Sequence, residues 1–295
     1  MDEQIPTYPV KMVDFMQNKK KKPKIWINIV LLVITIITTT LAGAIMEPTE
    51  EFTFRWLLNG FRFSVPLILI LGCHECGHYI ASRMHNVDAT LPYFIPAPTL
   101  IGTFGAFIKI KEPIETRRSL MDIGAAGPLM GFIIALPILI WGVAISKVVP
   151  ISDDLAGIRL GSSLILTIVS KLIHGNIPAG YDLYLSPPAF AGWLGLFVTS
   201  LNLLPIGQLD GGHISYALWG KTAHKLSKIV FFTLLPLGLL WLGWIFWALL
   251  LWFALGVKHP PIVNPEKYLD SKRIIIGYVC IVIFVITFTP VPFSW

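Results

Sequence analysis

The sequence predicts an all-α polytopic membrane protein of about six transmembrane helices, with a re-entrant β-hairpin on its cytoplasmic side. Three observations carry that expectation. Only 14% of the 295 residues are Asp, Glu, Lys or Arg, against about 25% in soluble domains, while 55% are hydrophobic and the mean hydropathy is +0.71. The apolar residues gather into six runs, at 25–46, 63–82, 120–147, 189–219, 229–257 and 274–290, close to the ~20 residues that span a bilayer. One further apolar stretch is too broken by Pro and Gly to be a spanning helix. This composition excludes a soluble globular domain and a disordered chain. The net charge of +6 and pI near 9.2 do not indicate nucleic acid, because the basic residues sit between apolar runs rather than among aromatics on one patch. Cys73, Cys76 and Cys280, an odd number, give no disulfide framework.

The elements follow in order. Run 25–46 is uncharged, follows Lys19, Lys20, Lys21, Lys22 and Lys24, and lacks a small-residue cleavage site. It therefore reads as an anchor behind a cytoplasmic basic tail, 1–24, with Trp26 and Trp56 at the interfaces. Run 63–82 returns inward, so 83–118, with Arg83, Lys109, Lys111, Arg117 and Arg118, is cytoplasmic. Run 120–147 goes outward. Ser119 and Asp122 have capping-box spacing at its start, and Gly127 and Gly131, four apart, permit close helix packing. The stretch 148–188, with Asp153, Asp154 and Asp182, is external, and its middle, 159–174, reads as an interfacial amphipathic helix.

Run 189–219 comes back in, 229–257 goes out and 274–290 returns. Run 229–257 contains Pro236 and is long enough to be a hairpin or a strongly tilted helix. Strict alternation makes 258–273 external, which Lys258, Lys267, Lys272 and Arg273 oppose. There is no internal repeat, so 25–295 reads as a single membrane-embedded domain. The stretch 86–118 is apolar from Leu91 to Ile110, and Phe104–Lys111 ends in strand-like alternation. It reads as the re-entrant β-loop, about 90–112, with a plain cytoplasmic loop as the alternative.

Within 63–82 stands His74-Glu75-Cys76-Gly77-His78. Residues i and i+4 share a helix face, so His74 and His78 can hold one zinc ion with Glu75 beside it as a base. Chance would place this pattern in roughly one in two hundred chains of this composition. Ionisable residues inside a span are costly and imply function. The alternative is a pair of histidines packing between helices. A catalytic zinc takes three protein ligands and keeps one position open. Asp210 is the acidic residue of 189–219. It and His78 both fall in the cytoplasmic half of the bilayer, at compatible depths, which makes Asp210 the third ligand; an aspartate capping a broken helix is the other reading. Pro205 and Gly207 predict that break, freeing the Leu201 carbonyl.

The H-E-C-G-H motif in a span, followed downstream by Asn202-Leu203-Leu204-Pro205-Ile206-Gly207-Gln208-Leu209-Asp210-Gly211-Gly212-His213, resembles the site-2 protease family of intramembrane zinc metalloproteases. Pro92–Pro96, Gly102–Phe107 and Asp122–Pro128 resemble it too. The likeness covers about 70–220, and the catalytic core is about 61–220. It implies that His74, His78 and Asp210 are the metal ligands for Zn2+, that Glu75 is the catalytic glutamate and that Asn202 is an active-site asparagine, a donor to the oxyanion or to substrate backbone. No PDZ-like or nucleotide-binding domain accompanies it.

The expected chemistry is hydrolysis of peptide bonds within or near transmembrane segments. Zinc lowers the pKa of a water it binds toward about 7, and Glu75 is placed to take the proton. A transmembrane helix shields its carbonyls and must unwind to be cut. An exposed edge of the β-loop could receive the extended substrate by strand addition. The expected partners are single-span membrane proteins and the lipid bilayer, with no nucleic acid and no nucleotide. The expected location is a prokaryotic plasma membrane, multi-pass, with a cytoplasmic N-terminus. The alternative is a membrane zinc or ion transporter using the same cluster, but that gives Glu75 no task and the chain lacks the paired repeats common in transporters. Cys73 and Cys76 read as small packing residues, His213 as packing or a neighbour of the metal shell, His259 as a loop residue, and Arg117 and Arg118 as charges that fix the topology.

Overall fold

The computed structural model describes residues 24–46, 53–111, 114–151, 159–264 and 268–294. The lysine run 19–22, Asp153, Asp154 and Lys267 lie outside them. The chain is mostly helical. Among the described residues, three helical runs are long and apolar enough to cross a membrane: α1 (Ile25–Ile45), the joined α2 (Phe54–Asn59) and α3 (Phe61–Met84), and α4 (Arg117–Ala144). At ~1.5 Å per residue the 21 residues of α1 span about 32 Å. Its buried face is small and hydroxylated, including Thr35, Thr39, Ala42 and Gly43, which lets α3 approach closely enough for Thr39 Oγ1 and Ser64 Oγ to meet at 2.6 Å.

Of the other three expected spans, two are interrupted, each for a visible reason, and the last is a single continuous helix. Run 189–219 is two helices, α6 (Pro187–Asn202) and α7 (Asp210–Trp219), with 203–209 between them. Pro205 cannot continue the ladder and Gly207 stands at φ +53°. The Leu201 carbonyl is not left free, because Leu204 N–H donates to it at 3.3 Å. Run 229–257 doubles back as α8 (Ala223–Leu237) and α9 (Gly243–Leu250). Gly238 lies so close to Ile245 that a Cβ there would meet it at 2.4 Å, and Ser227 Oγ near the start of α8 donates to Val257 O beyond α9 at 2.5 Å. This is the hairpin alternative. The last helix, α10 (Ser271–Thr287), has 17 residues.

The hairpin corrects the alternation. Asn264 N–H donates to Glu115 O at 2.8 Å and Arg118 Nε to Tyr268 O at 3.2 Å. The segment after α9 therefore lies against the start of α4, on the same side as 83–118, and its basic residues join the other basic residues. The start of α4 is also shifted. The capping box is Thr116 with Ser119: Thr116 Oγ1 accepts from Ser119 N–H at 3.1 Å and Ser119 Oγ from Thr116 N–H at 3.2 Å. Asp122 is not a cap. Its carboxylate accepts from Arg273 of α10 at 2.6 Å and from His85 at 2.8 Å.

Strands β1 (Tyr93–Pro96) and β2 (Thr103–Phe107) form an antiparallel hairpin with Tyr93 opposite Phe107 and Phe94 opposite Ala106. It lies along α1. Asn28 Nδ2 donates to Pro92 O at 2.9 Å and Thr38 Oγ1 to Gly102 O at 2.6 Å. On the opposite end of the bundle, β3 (Lys147–Pro150) pairs with β5 (Tyr181–Tyr184), and β4 (Arg159–Leu160) pairs with β6 (Phe293–Ser294). Between β4 and β5 is α5 (Leu164–His174), the amphipathic helix expected within 159–174; it buries Leu166 and Val169 and exposes Leu164, Ile168 and Leu172. The main core centres on Trp193, whose ring stacks on Phe190 and Phe197 while Nε1 donates to Gly161 O at 3.0 Å.

Candidate metal centre

The helical period of α3 puts His74 and His78 on one face, and both rings are buried. Opposite them α4 offers glycines. A Cβ on Gly127 would stand 2.0 Å from His78 Nε2, and one on Gly131 would stand 2.9 Å from His74 Nδ1. The small pair predicted for helix packing is thus the space in which the imidazoles sit. His78 Nδ1–H donates to Ile123 O at 2.7 Å. That bond fixes the tautomer and turns the Nε2 lone pair inward.

The broken span brings the third group. Ending α6 at Asn202 and restarting at Asp210 makes Asp210 the first residue of α7, with its carboxylate beside both rings. The separations are 3.2 Å from His74 Nε2 to Asp210 Oδ2, 3.3 Å from His78 Nε2 to Asp210 Oδ1, and 3.2 Å between the two Nε2 atoms. Zinc bonds of about 2.0–2.2 Å in a tetrahedral set imply ligand atoms about 3.3 Å apart, so the set fits the ion in spacing as well as in donor type. These atoms all lie within 4.8 Å of one another and can hold a metal. Asn202 Nδ2 is 3.3 Å from His74 Nε2. Glu75 is buried beside the cluster, within electrostatic reach of His74, His78 and Asp210 and next to the Ile108 backbone. All five candidate residues therefore converge.

Other residues depart from expectation. Cys76 is exposed and Cys73 half-buried, so Cys76 is not a packing residue. Arg117 does more than mark a side of the membrane: its Nε and Nη2 donate to Ala217 O and Leu218 O, each at 2.7 Å, capping the C-terminus of α7. His213 Nδ1 lies 2.7 Å from His259 Nε2. No spacing rule could join those two, because the loop carrying His259 reaches α7 only through the α8–α9 hairpin.

An apolar helical frame that gathers two imidazoles and a carboxylate around one position forms a candidate metal site in a membrane-type bundle. Residues 62–240 match the family model described as Peptidase family M50, and the chain belongs to that family, the site-2 protease family of zinc metalloproteases. It is 30% identical over 246 residues to the probable zinc metalloprotease EGY2, chloroplastic, of Arabidopsis thaliana, covering 81% of this chain and 43% of that one. It is 29% identical over 279 residues to the EGY2 protein of Oryza sativa subsp. indica, covering 89% and 49%. It is 29% identical over 256 residues to the probable zinc metalloprotease EGY1, chloroplastic, of Arabidopsis thaliana, covering 84% and 46%. The chain spans about half the length of these curated relatives.

Proposed function

We propose that this protein hydrolyses peptide bonds within or near the transmembrane segments of single-span membrane proteins. The observation that carries the reading is the convergence of three metal-donor atoms with a buried glutamate on apolar helices. His74, His78 and Asp210 would hold zinc, which supplies Lewis-acid polarisation of the scissile carbonyl when bound. Glu75 takes the proton of the attacking water and passes it to the departing amine. Asn202, at the end of α6, donates its amide hydrogens to the developing oxyanion or to substrate backbone.

The hairpin is the substrate guide. Asn28 and Thr38, which hold it, are ten residues apart on α1, so it extends about 15 Å along that helix and re-enters the membrane from the cytoplasmic side. Beyond β1, β2 has no further strand partner among the described residues, and Phe104 and Phe107 are exposed. An unwound substrate segment adds there as a third strand, which satisfies its freed backbone groups. The positive charge of the tail and of 83–118 favours an orientation that keeps both on the same, cytoplasm-like side of the membrane.

The test is reconstitution with single-span substrates. Glu75→Gln should abolish cleavage while binding zinc as the wild type does. Cleavage that survives the change removes Glu75 as the base; loss of zinc along with activity makes the defect structural.

A further inference from the structure

One turn beyond Asp210 on α7 begins a second histidine cluster that the proposed chemistry does not use. His259 Nδ1 bonds to Pro260 O at 2.5 Å. A carbonyl only accepts, so Nδ1 carries the proton and, in the neutral ring, Nε2 is an acceptor. The partner 2.7 Å away, His213 Nδ1, is then the donor. His213 lies one turn beyond Asp210 on α7, and its own N–H donates to Leu209 O at 3.0 Å. The His259 ring stacks on Tyr216 of the same helix with centroids 4.5 Å apart, and His224 Nε2 donates to His259 O at 3.2 Å.

A second link runs in parallel. Ser227 Oγ accepts from Gly207 N–H at 3.3 Å and donates to Val257 O at 2.5 Å. It ties the same loop to the turn that precedes Asp210. That turn has no slack: a Cβ on Gly212 would meet Gly207 O at 2.3 Å, and one on Gly211 would meet Leu203 O at 1.9 Å. The loop 257–260 therefore holds α7 and its preceding turn at two points that bracket Asp210.

We propose that His213, His259 and Ser227 are positioning residues that fix the Asp210 carboxylate for metal binding, through the loop returned by the α8–α9 hairpin. The inference rests on the reading of His74, His78 and Asp210 as the metal ligands. Groups hydrogen-bonded to metal ligands are worth roughly 10- to 100-fold in affinity or activity; here the restraint reaches Asp210 through α7, and the His213–His259 link joins residues 46 apart in the chain.

The full chain in detergent is measured for Zn2+ affinity by chelator competition and, loaded with Co2+, for its visible absorption. His259→Phe keeps a ring against Tyr216 and removes the acceptor. It should weaken Zn2+ binding by roughly 10- to 100-fold and shift the Co2+ bands. His259→Gln returns an acceptor oxygen to the Nε2 position and should restore both. Ser227→Ala, a change of one hydroxyl, should weaken Zn2+ binding in the same direction. Wild-type affinity and bands in His259→Phe overturn the proposal, as does a His259→Gln protein no better than His259→Phe. Should His259→Phe fail to fold, Ser227→Ala with wild-type affinity overturns it. These readouts do not require cleavage. A wild-type protein that cleaves nothing, yet shows these Zn2+ effects, defeats the protease reading and leaves this one standing.

Discussion

At Gly127 the metal site depends on the absence of an atom. A methyl group there would lie 2.0 Å from His78 Nε2, the nitrogen that must face the ion. The imidazole has nowhere to retreat, because Nδ1 is held by Ile123 O and the ring is buried. Gly127→Ala should therefore lower zinc affinity by at least ~10-fold and remove activity. Alanine favours helix over glycine by up to ~1 kcal/mol, so helical content by circular dichroism should not fall. Intact zinc binding in this variant would mean that His78 is not a ligand. His74, Glu75 and His78 were legible in the sequence because one helical turn contains all three. The function of the glycines was not: four-residue spacing reads as helix packing, and only the tertiary pairing of α3 with α4 shows that the packed object is an imidazole.

At the scale of elements, the hairpin joins local pattern to chemistry. Alternation at 104–111 predicted a strand, and β2 occupies Thr103–Phe107, with the ladder carried further by Lys109 N–H to Thr90 Oγ1 at 2.9 Å and Lys111 N–H to Asp88 O at 2.8 Å. Ile108 lies between the end of β2 and these two bonds, its backbone beside the Glu75 carboxyl. Proline at 108 removes the Ile108 backbone N–H and stiffens the strand. Ile108→Pro should cut cleavage by roughly 10-fold or more while sparing zinc content, since no metal ligand moves. Ile108→Ala, which keeps the N–H, should retain most activity. Equal turnover in Ile108→Pro and wild type would sink the substrate-strand idea. The end of α6 was equally legible, because Pro205 and Gly207 are local signals. The start of α4 was misplaced by about a turn: Thr116/Ser119 and Ser119/Asp122 have the same spacing, and Asp122 is drawn away by Arg273, 151 residues downstream, an ion pair no local rule reveals.

At the scale of the molecule, the last third acts as a clasp. Counting hydrophobic runs made 258–273 external; folding 229–257 at Gly238 returns it to the side of Arg117 and Arg118. The clasp has a titratable pin. Burial pushes the His259 imidazole down to about 4, against the opposing pull of Pro260 O and with His224 adding to the depression. The unfolded ring titrates near 6.5. Above about pH 6.5 both states are neutral at this residue and stability is at its full value. Between about 6.5 and 4 the unfolded chain binds a proton that the folded chain does not, so stability falls as the pH falls. Below about 4 the folded ring also protonates and the loss levels off. The wild-type melting temperature in detergent should therefore drop as pH is lowered through this window, by an amount corresponding to a few kcal/mol at most. His259→Gln, which cannot titrate, should flatten that part of the profile while other groups continue to contribute the remainder. Parallel profiles for the two proteins would show that the folded His259 ring titrates as the unfolded one does, so that it is solvated rather than buried and the loop does not close over it as a clasp.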